Sequence, residues 1–463
     1  MDNAVFSESL AYGQQKRRAV SARSFRVKIP SSNSTSFTAE QTIQVDLPGN
    51  LSGQYYNFNQ MYLKVKVTPS ANCSLDRAGA LGFIKRLQIS TAGAQICDIN
   101  NYNVLATAML DTDASSEYKG GYGNVLLGTL GDALKGVDLV AATPRVFCIP
   151  MVLNPLAMTQ PHRLIPAFAL SSLQVRLTLD SAASAVHVAA GGAAPALAFS
   201  EVEMVCMMTE LSPQAQAMVD ASTGGKYNIL ASSFMNSGAT RPASITALTA
   251  NLGFSVSSLE RIIAVHRPIA SVDVADRYSL GNRGTAGLSE LQYLVNSESY
   301  PARPVQISTF AAESLAETLI ADHALVDFKK SSAFNNGFAP VGALGVGTSM
   351  LSGDAPDVAK ANCFAVNAPA GLTAGASGTG GAGNEATASD IGTFVVATEF
   401  ESGLSDGKSA TIYSGISTIA SVVQWVGKYN AATAAAFQID FYAQFTALLS
   451  LDMRGSGVWS ISI

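Results

Sequence analysis

The chain has 463 residues and a formal net charge of -5, with 48% hydrophobic and only 14% charged residues, against about 25% charged in ordinary soluble domains. No apolar run approaches the ~20 residues that a spanning helix needs, and disorder is excluded because that class pairs low hydrophobicity with high charge. What remains is a core-rich chain with little charged surface, part of which something must cover.

Residues 1–35 read as an N-terminal arm. Lys16, Arg17 and Arg18 form a basic knot beside Arg23, Arg26 and Lys28. Either this is a frayed, solvated terminus or it touches phosphate, from lipid head groups or packaged nucleic acid. Met1–Leu10 is mixed in polarity, so no signal peptide is expected. Without secretion, the N-x-S/T matches at Asn33, Asn50 and Asn72 carry no glycan. The five cysteines (Cys73, Cys97, Cys148, Cys206 and Cys363) are scattered and form no CxxC pair. That pattern predicts neither a disulfide framework nor a zinc site.

From residue 36 a period of two dominates. Ile43, Val45 and Leu47 alternate with Gln44 and Asp46, and Leu63, Val65 and Val67 with Lys64 and Lys66. Further strands are predicted at Phe83–Ile89, Arg145–Leu153, Leu173–Leu179 and Phe199–Met207. Short strands separated by Gly, Pro, Asn and Ser point to a sandwich or jelly roll rather than a parallel βα repeat. One helix interrupts them, capped by Asn100 or Asn101, with Val104, Leu105, Ala108 and Met109 on one face, ending at Gly120–Gly123. Tyr55, Tyr56 and Phe58 have no Lys or Arg beside them, which favours core packing or a subunit contact over base stacking.

After a polar connector the plan repeats. Strands are predicted at Tyr227–Phe234, Ile245–Val256, Leu259–Val265 and Leu291–Asn296, then a helix at Ser308–Phe328 capped by Ser308 or Thr309. Strands return at Thr393–Phe400, Thr411–Ser414, Ser421–Val426, Phe437–Leu451 and Val458–Ile463. Residues 87–110 and 291–321 share the order strand, turn, strand, helix. RVFCIPMVL then lines up with GTFVVATEF, and SLQVRLTLD with the VVQWVGKYN region. Literal identity is weak, so duplication is argued from order. Two small-residue stretches, Ala182–Ala196 and 341–392, show no strand pattern and are expected to be exposed loops.

No motif carries chemistry. Gly378–Gly383 spells GxGxxG, but the strand before and helix after that a dinucleotide site requires are missing. Gly403–Ser409 is one residue short of a P-loop and reads as a hairpin turn. None of His162, His187, His266 and His323 stands at metal-ligand spacing. His162 suggests a loop contact, and Asp322-His323 a surface pair on a helix. No catalytic residue, metal ligand, cofactor or small-molecule substrate is expected.

Segment 36–67 (FTAEQTIQVDLPGNLSGQYYNFNQMYLKVKV) resembles the opening strands of viral capsid jelly rolls, and FIKRLQISTAGAQICDINNYNVLA the strand, turn and helix that follow. RVFCIPMVLNPLAMTQPHRLIPAFALSSLQVRLTLD is similar to the late strands of such a barrel. TFVVATEFESGLSDGKSATIYSGISTIASVVQWV and FYAQFTALLSLDMRGSGVWSISI resemble those of a second one. From residue 36 onward the chain resembles a double jelly-roll major capsid protein of the adenovirus-like and tailless membrane-containing DNA viruses.

The resemblance implies an all-β chain of two tandem eight-stranded antiparallel jelly rolls, with one short helix in each half and long inserted loops. The divisions are an arm (1–35), a first barrel (36–210), a connector (211–225) and a second barrel (226–463) with an exposed loop at 341–392. It implies a homotrimeric, pseudo-hexagonal capsomer in a virion. Its partners would be copies of itself, minor or vertex proteins, and a membrane or genome met through Lys16, Arg17 and Arg18. Two other readings stay open: a single shell barrel with a protrusion domain, and a β-sandwich carbohydrate-binding protein.

Overall fold

The computed structural model describes residues 22–462 apart from 92–93, 131–134, 161, 171, 190, 285–286, 308–311, 324–391, 402–414, 430–435 and 453–458. Sixteen principal strands build two antiparallel sandwiches. The first contains β1 (Ala22–Pro30), β2 (Thr42–Leu47), β3 (Gln54–Pro69), β4 (Ile84–Thr91), β5 (Ala94–Asn100), β6 (Arg145–Pro150), β7 (Leu173–Leu179) and β8 (Leu197–Leu211). The second contains β9 (Lys226–Arg241), β10 (Ala247–Leu252), β11 (Leu259–Pro268), β12 (Leu288–Val295), β13 (Glu298–Gln306), β14 (Val396–Glu399), β15 (Val423–Tyr429) and β16 (Phe437–Asp452).

The first barrel pairs β1-β8-β3-β6 in one sheet and β2-β7-β4-β5 in the other. The second pairs β9-β16-β11-β14 and β10-β15-β12-β13. Each strand of the first barrel therefore has its topological counterpart eight strands later, and both follow jelly-roll order. The lined-up segments are these counterparts: RVFCIPMVL contains β6 and GTFVVATEF contains β14, while SLQVRLTLD contains β7 and the VVQWVGKYN region β15.

The alternating pattern explains the registers. Ile43, Val45 and Leu47 lie opposite Leu177, Val175 and Leu173, all buried. A one-residue slip would turn every one of these outward, so burial enforces the pairing. Tyr56 and Phe58 are buried in the first core. β13 escapes the period-two signal because its sequence ESYPARPVQ holds two prolines. Among the described residues it pairs with β12 alone, at the sheet edge, where a residue without an N–H is tolerated.

Residues 22–30, placed in the arm by the sequence, form β1, with Ala22 opposite Leu211 and Pro30 opposite Glu203. Phe25, Val27 and Ile29 pack on the first core, while the interleaved basic residues face outward and make the segment look like a charged tail. Ala182–Ala196 is likewise no overlying loop. A short helix (Ala182–Ala185) and a bridge (Val186–His187) pairing with Cys73–Asp76 lie in it, and Ala185 and Val186 are buried. Small side chains here permit close approach. Of the other small-residue stretch, 341–392, all but residue 392 lies outside the described residues, as do both glycine-rich motifs.

Helix α1 (Tyr102–Asp113) follows β5 and is extended by short turns at Ser116–Gly120 and Tyr122–Leu127. Asn101 precedes it in a left-handed conformation (φ 48°), yet its side chain does not cap the helix. The connector holds α2 (Pro213–Thr223), where Ser212 Oγ accepts from Ala215 N and Gly224 (φ 63°) ends the helix. Helix α3 (Ala312–Ala321) follows β13 as α1 follows β5. Its predicted caps and the residues beyond His323 lie outside the described residues.

Two apolar cores result, and the first spreads beyond its own barrel. It takes in Tyr227, Ile229, Ile263, Val265, Ala397, Tyr442 and Leu449 of the second. Every residue of β11 is buried, with Ile262 and Ala264 facing the second core and Ile263 and Val265 the first. The sheet β9-β16-β11-β14 is thus a wall shared by both cores, which is why the middle of β11, Ile262–Val265, is four consecutive apolar residues instead of an alternation.

Candidate assembly interface

The groups capable of chemistry are mostly absorbed by structure. Burial pushes the thiols of Cys97 and Cys206 up to about 12 and that of Cys73 up to about 11, so these cysteines are held as unreactive thiols. His162 Nδ1 lies 3.1 Å from Asn59 Nδ2 in a loop contact. His187 stacks on Tyr278, centroids 3.8 Å apart and planes within 10°. His266 is fully buried between the Phe394 and Trp425 rings, and burial lowers its pKa to about 3. Asp322, expected on the surface, is buried and ion-paired with Arg261, because the chain turns back toward β11 after α3. Only His323 of that pair is exposed. Lys16, Arg17 and Arg18 lie outside the described residues.

The side chains with the most consequence lie between the barrels. Asp440 on β16 accepts from Arg267 Nη2 at 2.8 Å, Asn101 Nδ2 at 3.0 Å and Gln438 Nε2 at 3.1 Å. Tyr442 OH donates back to Asn101 O at 2.8 Å. Asp111 on α1 receives Arg77 Nε at 2.8 Å, Lys119 Nζ at 2.6 Å and, from the second barrel, Arg283. Asp76 Oδ2 accepts the Leu280 backbone N–H at 3.1 Å, and burial raises its carboxyl to about 6. Backbone bonds complete the junction: Val188 N to Ala275 O at 3.0 Å and Ser232 N to Met158 O at 3.0 Å. Buried ion pairs of this kind cost desolvation and contribute mainly geometric specificity. Here they orient α1 and the end of β5 against the β9-β16-β11-β14 sheet. Motif reading missed these contacts, since Asn101 and Asp440 stand 339 residues apart and Asp111 and Arg283 172, and no local spacing marks them.

The equivalent sheet of the first barrel presents a different face. Outside β1-β8-β3, Lys28 and Lys64 pair with Glu203 at 3.9 and 3.4 Å, and Lys66 with Glu201 at 2.8 Å. The Lys28 and Glu201 side chains remain more than half exposed. Beside α1 an apolar groove of about 510 Å³ is lined by Leu81, Met109, Leu110, Tyr118, Val152 and Leu153. Tyr122 and Val125, 78% and 72% exposed, project from the same stretch of chain, with Val146 and Val152 exposed nearby. Apolar side chains gathered in this way mark contact surfaces more often than free ones. In the second barrel, α3 exposes Ile320, and β13 is the last strand of its sheet among the described residues.

No protein-family pattern matches the sequence, and no curated protein matches it. Solved structures do. The PBCV-1 protein VP54, as fitted into a reconstruction of the virophage Sputnik, aligns with a TM-score of 0.59 at 11% identity, over 97% of this chain and 98% of that one. A chain from the PBCV-1 virus capsid aligns at 0.58 and 12% identity over 97% and 98%. The Faustovirus major capsid protein aligns at 0.57 and 8% identity over 95% and 92%. These likenesses assign the fold: the chain is an all-β double jelly roll of the kind seen in those capsid proteins.

Proposed function

We propose that the chain is a major capsid protein, a structural subunit whose copies form a pseudo-hexagonal homotrimer and tile an icosahedral virion shell. The observation that carries this reading is the packing within one chain. The first barrel applies its β5–α1 edge to the outer face of the second barrel's β9-β16-β11-β14 sheet. The second barrel carries the equivalent edge, β13 and α3, and the first barrel carries the equivalent sheet, β1-β8-β3-β6. A head-to-tail contact of this form generates a ring when its rotation closes. Three copies arranged so would place six barrels in one ring, each edge on the next sheet.

The same reading accounts for the low charge, since faces tiled against neighbours need no solvated surface. It gives the groups between the barrels a positioning role and asks for no catalysis. Within it, the first barrel region, 36–210 as read from the sequence, is extended by β1 (Ala22–Pro30), 211–225 joins it to the second at 226–463, and 341–392 is a loop on the outer surface. Lys16, Arg17 and Arg18 would face inward, toward phosphates of genome or membrane, with minor capsid proteins as further neighbours.

Mass measurement and negative-stain imaging of the purified full chain test it. Particles of three chains with hexagonal outline are expected, and a stable monomer at micromolar concentration would overturn the proposal.

A further inference from the structure

Where α3 ends, the chain passes Asp322 and His323, and β14 later returns to the same place. His323, Glu399 and Glu401 each offer a ligand atom there, all within 4.8 Å of one another, and His323 Nε2 lies 3.9 Å from Glu401 Oε2. These three residues border a cavity of about 80 Å³ whose lining also includes Glu260, Arg261, Asp322 and Gln444. Four carboxylates therefore surround one guanidinium. Arg261 is already engaged by Asp322, by Gln444 Oε1 at 2.7 Å and by Ala321 O at 3.1 Å. Glu260 is held by Gln444 Nε2 at 2.7 Å and by Thr446.

Glu399 and Glu401 share the charge of Arg261, which Asp322 already pairs directly, and the exposed His323 imidazole stands 3.9 Å from Glu401 Oε2. A second observation points the same way. The Asp322 side chain is only 3% exposed, and its Oδ2 is buried with no hydrogen-bond partner among the described residues. A buried carboxylate oxygen left without a donor is costly, and this one belongs to a residue lining the same cavity.

We propose that His323, Glu399 and Glu401 form a binding site for a borderline divalent cation of the zinc type. One imidazole with two carboxylates is a ligand set such ions accept with a fourth position left over, whereas calcium and magnesium favour oxygen alone. Donor atoms up to 4.8 Å apart close on one ion by small side-chain rotations, which the exposed His323 permits. Asp322 Oδ2 supplies the outer acceptor that orients an imidazole or a metal-bound water. The site joins the end of α3 to β14, two elements separated in sequence by residues 324–391. A cation there clamps the base of that long insertion to the barrel.

The test is a zinc titration by calorimetry of the chelator-treated, untagged full chain, beside H323A, E401Q and the control H162A. Wild type and H162A are expected to bind one ion per chain and to gain thermal stability that EDTA reverses. H323A and E401Q should each weaken binding at least about tenfold. His323 is exposed, so H323A leaves the fold intact, and a circular dichroism spectrum verifies this. Absence of zinc binding by the wild type, or equal affinity in H323A, E401Q and wild type, would overturn the assignment.

Discussion

Asn101 of the first barrel donates its Nδ2 to Asp440 Oδ1 of the second, 3.0 Å away and 339 residues later in the chain. The residue occupies the position before α1 where the sequence suggests a helix cap, and it spends its side chain on the neighbouring barrel instead. Its left-handed backbone (φ 48°) is a conformation that asparagine tolerates better than most residues. Replacing it by Ala combines that backbone penalty with loss of a charge-assisted bond. N101A should lose about 1–3 kcal/mol in chemical denaturation, and N101G less, since glycine keeps the conformation free. Equal losses in the two variants would show that backbone conformation contributes nothing.

The Asp111 cluster makes a larger prediction. Removing the carboxylate leaves Arg283 and Lys119 buried beside each other, and breaking a buried pair by deleting one partner costs about 3–5 kcal/mol. D111A should therefore destabilise the chain by that order. Because Arg283 belongs to the other barrel, it should also split one calorimetric transition into two. A single transition at the wild-type temperature would show that the cluster does not couple the barrels.

His266 gives the acid dependence a sign. The unfolded chain binds a proton near 6.5, whereas the buried ring stays neutral down to about 3. Between those values the unfolded state holds the extra proton, so stability falls as pH drops from about 6.5, by up to about 1.4 kcal/mol per pH unit from this residue. H266F keeps an aromatic ring between Phe394 and Trp425 and removes the titration. Urea midpoints measured from pH 8 to 4.5 should show a shallower acid loss in H266F, and parallel curves would contradict the assignment.

Assembly has its own probe. Ile320 is exposed on α3, at the edge that the ring arrangement seats on the next chain's β1-β8-β3-β6 sheet. I320D should leave the monomer folded while light scattering shows trimers dissociating at least about tenfold more readily, since a charge enters a desolvated contact. Trimers of unchanged stability would place the interface elsewhere.

The basic knot can be tested through salt. Reversing Lys16, Arg17 and Arg18 to Glu should weaken binding to duplex DNA and reduce the slope of log affinity against log salt by roughly 0.9 per lost phosphate contact. Flotation with anionic vesicles measures the lipid alternative in the same variants. No change in either assay would leave the knot without a phosphate-binding role.

The alternation of Ile43, Val45 and Leu47, and of Leu173, Val175 and Leu177, was enough to read paired strands, because a sheet with one buried face writes its period directly into the chain. The matching order of elements in the two halves was legible for the same reason, down to the counterparts β6 with β14 and β7 with β15. In β1 the alternation of Phe25, Val27 and Ile29 with Arg26 and Lys28 is present, but those charges continue the basic knot of Lys16, Arg17 and Arg18 and so read as an arm, and in β13 two prolines break the pattern. The burial of every residue of β11 was not legible, since four apolar residues flanked by Glu260, Arg261, His266 and Arg267 do not say how many cores the strand serves.

Sequence alone therefore determined strand class, the duplicated order and the scarcity of charge, all of which are local or additive properties. Tertiary structure decided which barrel faces which, that Asp440 meets Asn101 and Asp111 meets Arg283, and that His323 returns to Glu399 and Glu401. Such pairings depend on how two closed sheets dock, and docking is set by surfaces assembled from distant segments, which no window along the chain contains.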